Sequence, residues 1–350
     1  ALMSPFAGFD MPISYEGITE EHRAVRSACG MFDVSHMGEV RISGNGADSF
    51  VNHIFSNDIT AIAPGGILYG MMLNENGGVV DDLLVYRLGA DDFLLVINAS
   101  NIAKDIAWIE SRHAQFPEVT VTDLSDATAE IAVQGPLAEE VMRDVLSLDC
   151  TDIPFYNFRI FDLAEGRILV SRTGYTGEDG FEIYAAPDLI IGFWDKLQAS
   201  GRCKPCGLGC RDTLRFEVAL PLYGDELTDE ITPVEAGLSM FVKNEKPDFI
   251  GRDAILRQKA EGPARKIVGL ELLDRAIPRH GYEVLTADSG EVIGHVTTGY
   301  RGISTDRSIA LALIDSRYAA LDTPVAIRIR RKVFPAKVVG RRFYKKSYHK

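Results

Sequence analysis

Ile67-Leu68-Tyr69-Gly70-Met71-Met72-Leu73, then Asn74-Glu75-Asn76-Gly77-Gly78, then Val79-Val80-Asp81-Asp82-Leu83-Leu84-Val85-Tyr86-Arg87-Leu88: two apolar runs of strand length flank a stretch of turn chemistry. Asn and Gly tolerate the positive φ that a tight reversal needs, so the stretch predicts strand, turn, strand. A third apolar run, Asp92 to Ile97, extends this β-rich unit, and a helix is expected over 101–115.

Working outward, residues 18–29 alternate polar and apolar at helical spacing, with Thr19 as the expected N-cap and Gly30 as the stop. Residues 31–42 read as strand, turn, strand, and 45–55 as a helix. Downstream, a strand starts at Glu130, and Pro136 opens a helix running to about Leu146. Strands are predicted at 158–161, 167–171 and 181–185, a helix at 188–200, and a short strand at 240–243. The charged stretch Gln258 to Pro263 ends in Gly-Pro and is the expected linker. Beyond it, strands recur closely, with glycine turns expected at 281, 290, 294 and 299. That pattern suggests a small all-β barrel or sandwich.

Composition narrows the function. The 350 residues are 46% hydrophobic and 25% charged, an ordinary globular balance for two or three domains. A formal charge of −13 argues against a sequence-independent nucleic-acid binder, which needs a basic face. No apolar run approaches a membrane span; Ile309 to Ile314 has strand length. The first residues carry neither a basic flank nor an apolar core, so no secretion signal is expected. The stretch Arg328 to Lys350 is strongly basic and is expected to be a solvated or partner-facing tail. On an acidic chain it is a candidate docking place for an acidic partner, with Lys345 and Lys346 as the residues to neutralise.

Cys203, Cys206 and Cys210 are spaced C-x2-C-x3-C, a pattern that metal sites use. No nearby second pair completes four ligands, so reduced packing thiols are expected, as for Cys29 and Cys150. The chain has no phosphate-binding glycine loop, no dinucleotide fingerprint and no H-E-x-x-H. The seven histidines are scattered, and His36 is expected to be a hydrogen-bonded structural residue.

Three places carry candidate chemistry. Asp81-Asp82 sit inside an apolar strand, where acids are costly to bury unless paired; alternation points them to opposite faces. They are either turn-flanking acids at an edge or a site carboxylate with its neighbour. Ser171-Arg172-Thr173-Gly174-Tyr175-Thr176-Gly177-Glu178-Asp179-Gly180-Phe181-Glu182 is a glycine-rich, aromatic loop between strands. Glu182 could accept paired N–H donors from an amino-pyrimidine edge or simply lie on a strand surface. Gly207 to Glu217 opens a helix in which Arg211 could clamp a carboxylate or join an intrahelical ion pair.

Together these runs resemble the glycine-cleavage T-protein family. The resemblance lies in Pro5-Phe6-Ala7-Gly8-Phe9-Asp10-Met11-Pro12, Gly30 to Glu39, Asn74 to Asp82, Val133-Gln134-Gly135-Pro136, Ser171 to Glu182, Gly207 to Glu217 and Leu222-Tyr223-Gly224. It reaches Phe343-Tyr344 and so covers nearly the whole chain. It implies an α+β, three-domain folate-binding fold: two α/β domains with antiparallel sheets, plus a C-terminal β-barrel, around a central cavity. The expected division is a folate-binding region over 1–257, made of two interleaved α+β subdomains, and a barrel over 264–350. The implied activity is aminomethyl transfer from the lipoyl arm of H-protein to tetrahydrofolate, in the cytoplasm if bacterial or the mitochondrial matrix if eukaryotic. No metal, nucleic acid or membrane is expected to take part. By motif position, Asp82 corresponds to the family's catalytic aspartate, Glu182 to the pteridine-binding glutamate and Arg211 to the arginine near the folate tail. Met37, Tyr69, Tyr86, Asn98, Tyr175 and Tyr348 correspond to ligand-contacting positions.

Two rivals stay within the same superfamily. A folate-dependent demethylase would act on a small methylated donor without the carrier, and a non-catalytic binder would hold folate without transfer. The Asp81-Asp82 pair argues against the second.

Overall fold

The reversal at Asn74–Gly78 is built by its own side chain. Asn74 Oδ1 accepts from the N–H groups of Asn76 (2.9 Å) and Gly78 (3.1 Å), and Asn74 N donates to Gly78 O at 2.9 Å. Gly77 takes φ 86°, and a Cβ at Gly78 would stand 1.8 Å from the carbonyl oxygen of Asp229. The turn thus demands these two glycines for different reasons, one conformational and one steric.

This computed structural model describes residues 1–345. The chain runs β1 (Leu2–Phe6), β2 (Phe9–Ser14), α1 (Ile18–Ser27), β3 (Gly30–Asp33), β4 (Gly38–Gly44), α2 (Ala47–Ile54), β5 (Ile67–Leu73), β6 (Val79–Gly89), β7 (Asp92–Ile97) and α3 (Ile102–Arg112). It continues with β8 (Val119–Asp123), β9 (Ala129–Gln134), α4 (Ala138–Leu146), β10 (Phe158–Leu163), β11 (Gly166–Ser171), β12 (Gly180–Ala185), α5 (Pro187–Ser200), β13 (Lys204–Pro205) and α6 (Leu208–Glu217). It ends with α7 (Arg252–Glu261), β14 (Arg265–Leu272), β15 (Glu283–Thr286), β16 (Val292–Arg301), β17 (Ser308–Asp315), β18 (Pro324–Ile329) and β19 (Lys332–Val339).

Two compact units result. The first comprises residues 1–72 and 81–214, the second residues 73–80 and 215–345. The first holds a five-stranded sheet, β5-β6-β7-β4-β8, and a six-stranded sheet, β10-β11-β12-β9-β3-β13. One face of the six-stranded sheet (Met31, Ile131, Val133, Phe181, Ile183) packs on α4 and α5 through Val141, Met142, Phe193 and Leu197. Its other face carries Glu130, Ala132, Glu182 and Tyr184, with Glu182 opposite Ala132 and Tyr184 opposite Glu130. That face meets the five-stranded sheet through Tyr86, Leu94 and Val96, which cluster with Tyr184. In the second unit, β14-β17-β16-β15-β18-β19 close into a barrel around Leu270, Val284, Val296, Ala312, Ile314 and Ile327.

Several local expectations are corrected. Helix α1 starts at Ile18 after Gly17, without a Thr19 cap. Glu21, inside the helix, instead reaches back to the chain before it and accepts from the N–H groups of Tyr15, Glu16 and Gly17 at 2.7, 3.0 and 3.1 Å. Residues 240–243 form no strand; Ser239–Phe241 is a 3₁₀ turn closed by Phe241 N to Leu238 O. The expected linker is mostly helix, because its Gln, Lys, Ala and Glu continue α7 to Glu261 and only Gly262 (φ 82°) breaks it. Gly281 and Gly290 do turn at φ 79° and 71°, but Gly294 and Gly299 lie within β16. There the missing Cβ admits Leu313 O and Pro278 O, which would lie 2.1 and 2.6 Å from it. The basic stretch is no free tail up to Val339: it forms β18 and β19, Arg328 pairs with Glu283, and Arg341 donates to the carbonyls of Ala236 and Gly237.

Candidate active site

Strand β6 places Asp82, Leu84 and Tyr86 on the face toward the six-stranded sheet, and Asp81, Leu83 and Val85 on the other. Asp82 is held at both oxygens. Tyr69 OH donates to Oδ2 at 2.9 Å, and Asn98 Nδ2 donates to Oδ1 at 3.0 Å and to the Asp82 carbonyl at 2.9 Å. Burial, then the adjacent Asp81 charge, lift the Asp82 carboxyl to about 7, against the pull of Tyr69 and Asn98. The same burial and the Asp82 charge push the Tyr69 phenol well above its ordinary value, so it stays a donor.

Asp81 is not turned outward. It is fully buried and accepts from Asn98 N (2.9 Å), Asn98 Nδ2 (2.9 Å) and Asn101 Nδ2 (2.6 Å). Against it lies the carboxyl of Asp105, also fully buried, with no donor at either oxygen. Lys104 Nζ stands 3.8 Å from Asp105 Oδ1, beyond hydrogen-bond reach. Burial and the neighbouring Asp81 push Asp105 up to about 11.

On the six-stranded sheet, Thr173 Oγ1 donates to Glu182 Oε2 and is itself 2.6 Å from Ser171 Oγ. Burial raises the Glu182 carboxyl, with Thr173 and Arg211 opposing. Tyr86 OH lies 2.9 Å from Tyr184 OH and 3.2 Å from Ser171 Oγ, which links the two sheets. Glu130 is raised well above the carboxylate range by burial, then by Glu182 and Glu39, and its Oε2 is buried without a partner. Arg211 lies over the Tyr175 ring at 4.8 Å, with one buried Nη1 unpartnered. This stacking replaces the intrahelical ion pair considered for it. Met37 packs against both the Tyr86–Tyr184 cluster and the Phe32–Ala132–Leu214 cluster. Tyr348 lies outside the described residues.

His36 departs from expectation. It is buried edge-on against Phe6 (5.7 Å, 81°), and its Nδ1 meets no partner. Burial, then Arg211, lower it to about 3, so its ring is neutral at physiological pH. Among the cysteines, Cys29 and Cys203 Sγ lie 3.2 Å apart, and Cys206, Cys210 and Glu21 bring ligand atoms within 4.8 Å of one another. Glu21 Oε2 already accepts from Gly207 N at 2.9 Å, and its Oε1 takes the three N–H groups named above, so a metal there would displace those bonds.

Asn101, Asp105, Glu130, Thr173 and Tyr184 were not singled out from sequence. Asp105 left a signal: it interrupts the Ile102/Ile109 stripe of α3, where an acid is out of place. Glu130 left one too, an acid in Glu130-Ile131-Ala132-Val133.

Two facing sheets with acids on their inner faces, together with a closed six-stranded barrel, define a mixed α+β enzyme with an ionisable centre. Residues 1–246 match the GCVT N-terminal domain, and residues 265–345 match the glycine cleavage T-protein C-terminal barrel domain. The aminomethyltransferase of Clostridium botulinum (strain Loch Maree / Type A3) is 48% identical over 347 residues, covering 98% of this chain and 93% of that protein. That of Thermoanaerobacter pseudethanolicus (strain ATCC 33223 / 39E) is 50% identical over 349 residues, 99% of this chain and 94% of its own. The crystal structure of glycine cleavage system aminomethyltransferase T from Bartonella henselae superposes with a TM-score of 0.94 at 34% identity, covering 100% of this chain and 96% of that one. The chain belongs to the glycine cleavage T-protein family, the folate-using aminomethyltransferases.

Proposed function

We propose that the protein transfers the one-carbon unit of an S-aminomethyl-dihydrolipoyl group, carried on H-protein, to tetrahydrofolate. The products are 5,10-methylenetetrahydrofolate, ammonia and the dihydrolipoyl carrier. The observation that carries this reading is Asp82, a partly buried carboxyl held by Tyr69 and Asn98 and lifted to about 7. The surrounding groups fit folate. Glu182 and the unpartnered Glu130 Oε2 are buried acceptors for amino-pyrimidine donors, and Arg211 Nη1 is a spare donor for a carboxylate tail. Tetrahydrofolate, when bound, supplies the two nitrogens that receive the carbon.

Loss of ammonia from an S-aminomethyl group leaves positive charge on the transferred carbon. A fixed carboxylate at Asp82 stabilises that charge far better than water does, because its donors are already oriented. Near neutrality Asp82 is divided between its two protonation states, so it can also hold a proton released at the site. Met37, Tyr69, Tyr86, Asn98 and Tyr175 shape and orient; Tyr348 is assigned the same role by motif position. The scheme uses no metal. In this reading residues 1–257 bind folate, and the described part of 264–350, to residue 345, holds the accessory barrel. No helix among the described residues is long and apolar enough to cross a membrane. From the bacterial origin of the relatives we assign the work to the cytoplasm, or to the mitochondrial matrix if the source is eukaryotic.

Asp82→Asn tests this directly. Methylenetetrahydrofolate formation from aminomethylated carrier should collapse while tetrahydrofolate binding persists. Turnover near wild type with binding intact would sink the mechanism.

A further inference from the structure

Asn98 has two amide hydrogens and three acceptors within 3.0 Å: Asp81 Oδ1, Asp82 O and Asp82 Oδ1. Asp81 and Asp82 therefore compete for one amide. Every further donor that satisfies Asp81 frees Asn98 for Asp82. Asn101 is one such donor, at 2.6 Å.

Asp105 supplies the setting for another. It sits in the first turn of α3, fully buried, and its carboxyl contacts that of Asp81. Neither Asp105 oxygen meets an N–H or another O–H. Two carboxylates in contact in a dry site repel strongly, whereas a carboxylic acid against a carboxylate makes a short, strong hydrogen bond. The charged and titratable groups facing Asp105 are Asp81 and Asp82 from β6 and Lys104 from its own helix, and Lys104 is too distant to bond.

We propose that Asp105 is a positioning residue that donates a carboxylic-acid O–H to Asp81 and so leaves the Asn98 amide fixed on Asp82. The O–H of Asp105 points to a carboxylate oxygen of Asp81; Asp81 accepts it beside the N–H donors of Asn98 and Asn101; Asn98 then orients Asp82. The proton on Asp105 stays in place throughout the cycle, so no net transfer is involved. The kinetic part rests on Asp82 as the reacting carboxylate; the protonation of Asp105 does not.

The test combines an isosteric and a non-donating variant of the full chain. Asp105→Asn keeps a donor toward Asp81 without an ionisable proton, and Asp105→Leu removes the donor. Difference infrared spectra between wild type and Asp105→Asn at neutral pH should show the carbonyl stretch of a protonated carboxylic acid in wild type alone. Loss of carboxylate bands instead overturns the proposal. In the pH–rate profile of aminomethyl transfer, the acid limb of Asp105→Asn should coincide with wild type. A displacement to lower pH would mean that a negative charge had been removed, and overturns it. Asp105→Leu should lose roughly 10- to 100-fold in kcat, the scale of a misplaced reacting group, with the loss restored in Asp105→Asn. Equal impairment of both variants, or none in either, overturns it. Should Asp105→Leu fail to fold, the infrared and pH arms of Asp105→Asn decide alone. An active Asp82→Asn would refute the role of Asp82 while leaving the infrared result on Asp105 intact, so the two readings fail separately.

Discussion

The barrel and the paired sheets are both β-rich, yet they bury opposite chemistry. The barrel interior is aliphatic: Leu270, Val284, Val296, Ala312, Ile314 and Ile327 pack together, while the buried hydroxyls of Thr297 and Thr298 on β16 bond to Glu226 outside the barrel strands. The paired sheets enclose Glu39, Glu130 and Glu182, all buried, around the partly buried Asp82, and Asp81 and Asp105 are buried behind β6, on its other face. Sinking a carboxyl into a low-dielectric interior is unfavourable unless it is paired, hydrogen-bonded or protonated. The barrel builds a β core without that cost, whereas the core between the sheets carries it.

That contrast can be broken by substitution. The largest effect is expected at Asp82: Asp82→Asn should reduce turnover on the order of 10²–10³-fold or more, with thermal stability unchanged or raised. In the barrel, Leu270→Ala should do the reverse. Loss of this fully buried side chain should cost about 2–5 kcal/mol of stability in chemical denaturation and leave the activity of the folded fraction unchanged. A Leu270→Ala enzyme of normal stability would show that the barrel core tolerates a cavity.

Glu182→Gln should weaken tetrahydrofolate binding about 10- to 100-fold, the value of a hydrogen bond to a charged group, without loss of stability. Equilibrium titration decides it; unchanged affinity would remove Glu182 from the ligand's partners.

The last expected effect is a pH dependence of stability. Glu39 has both carboxyl oxygens buried without partners, and burial, then Asp123, lift it from 4.5 to about 9. Below 4.5 both folded and unfolded chains hold this proton. Above it the unfolded chain ionises while the folded one does not, so stability falls as pH rises until about 9. Glu39→Gln removes that decline. Its urea midpoint should match wild type near pH 4.5 and exceed it near pH 8.5. Equal midpoints at both values would mean that Glu39 is ionised in the folded protein.

Local patterns were legible in the sequence, and long-range partners were not. β5 and β7 fall on the residues their apolar runs marked, because five to seven consecutive apolar residues between turn signals have few other outcomes. Barrel against sandwich could not be decided locally, since closure depends on β14 pairing with β19 some seventy residues away. Likewise, alternation separated Asp81 from Asp82, but the fate of Asp81 depended on Asn101 and Asp105 of α3. Glu130 faces Tyr184 only because β9 and β12 pair in that register. The candidate centre came from family motifs, whereas its supporting acids came from pairings that no window of sequence displays.

Closure of the barrel has a consequence for how the protein behaves when crowded. Every barrel strand has two neighbours, so no row of unpaired amides is left to recruit a strand from another molecule. Ser56 and Asn57 cover β5 by bonding Met71 and Tyr69, whereas the open sheets do end in such edges at β8, β10 and β13. They are guarded by brevity at β13, which has two residues, and by charge at β10, which carries Arg159 and Asp162. Self-association of partly unfolded molecules should therefore begin in the sheets that hold the acids, and the barrel should be the last part of the chain to enter an aggregate.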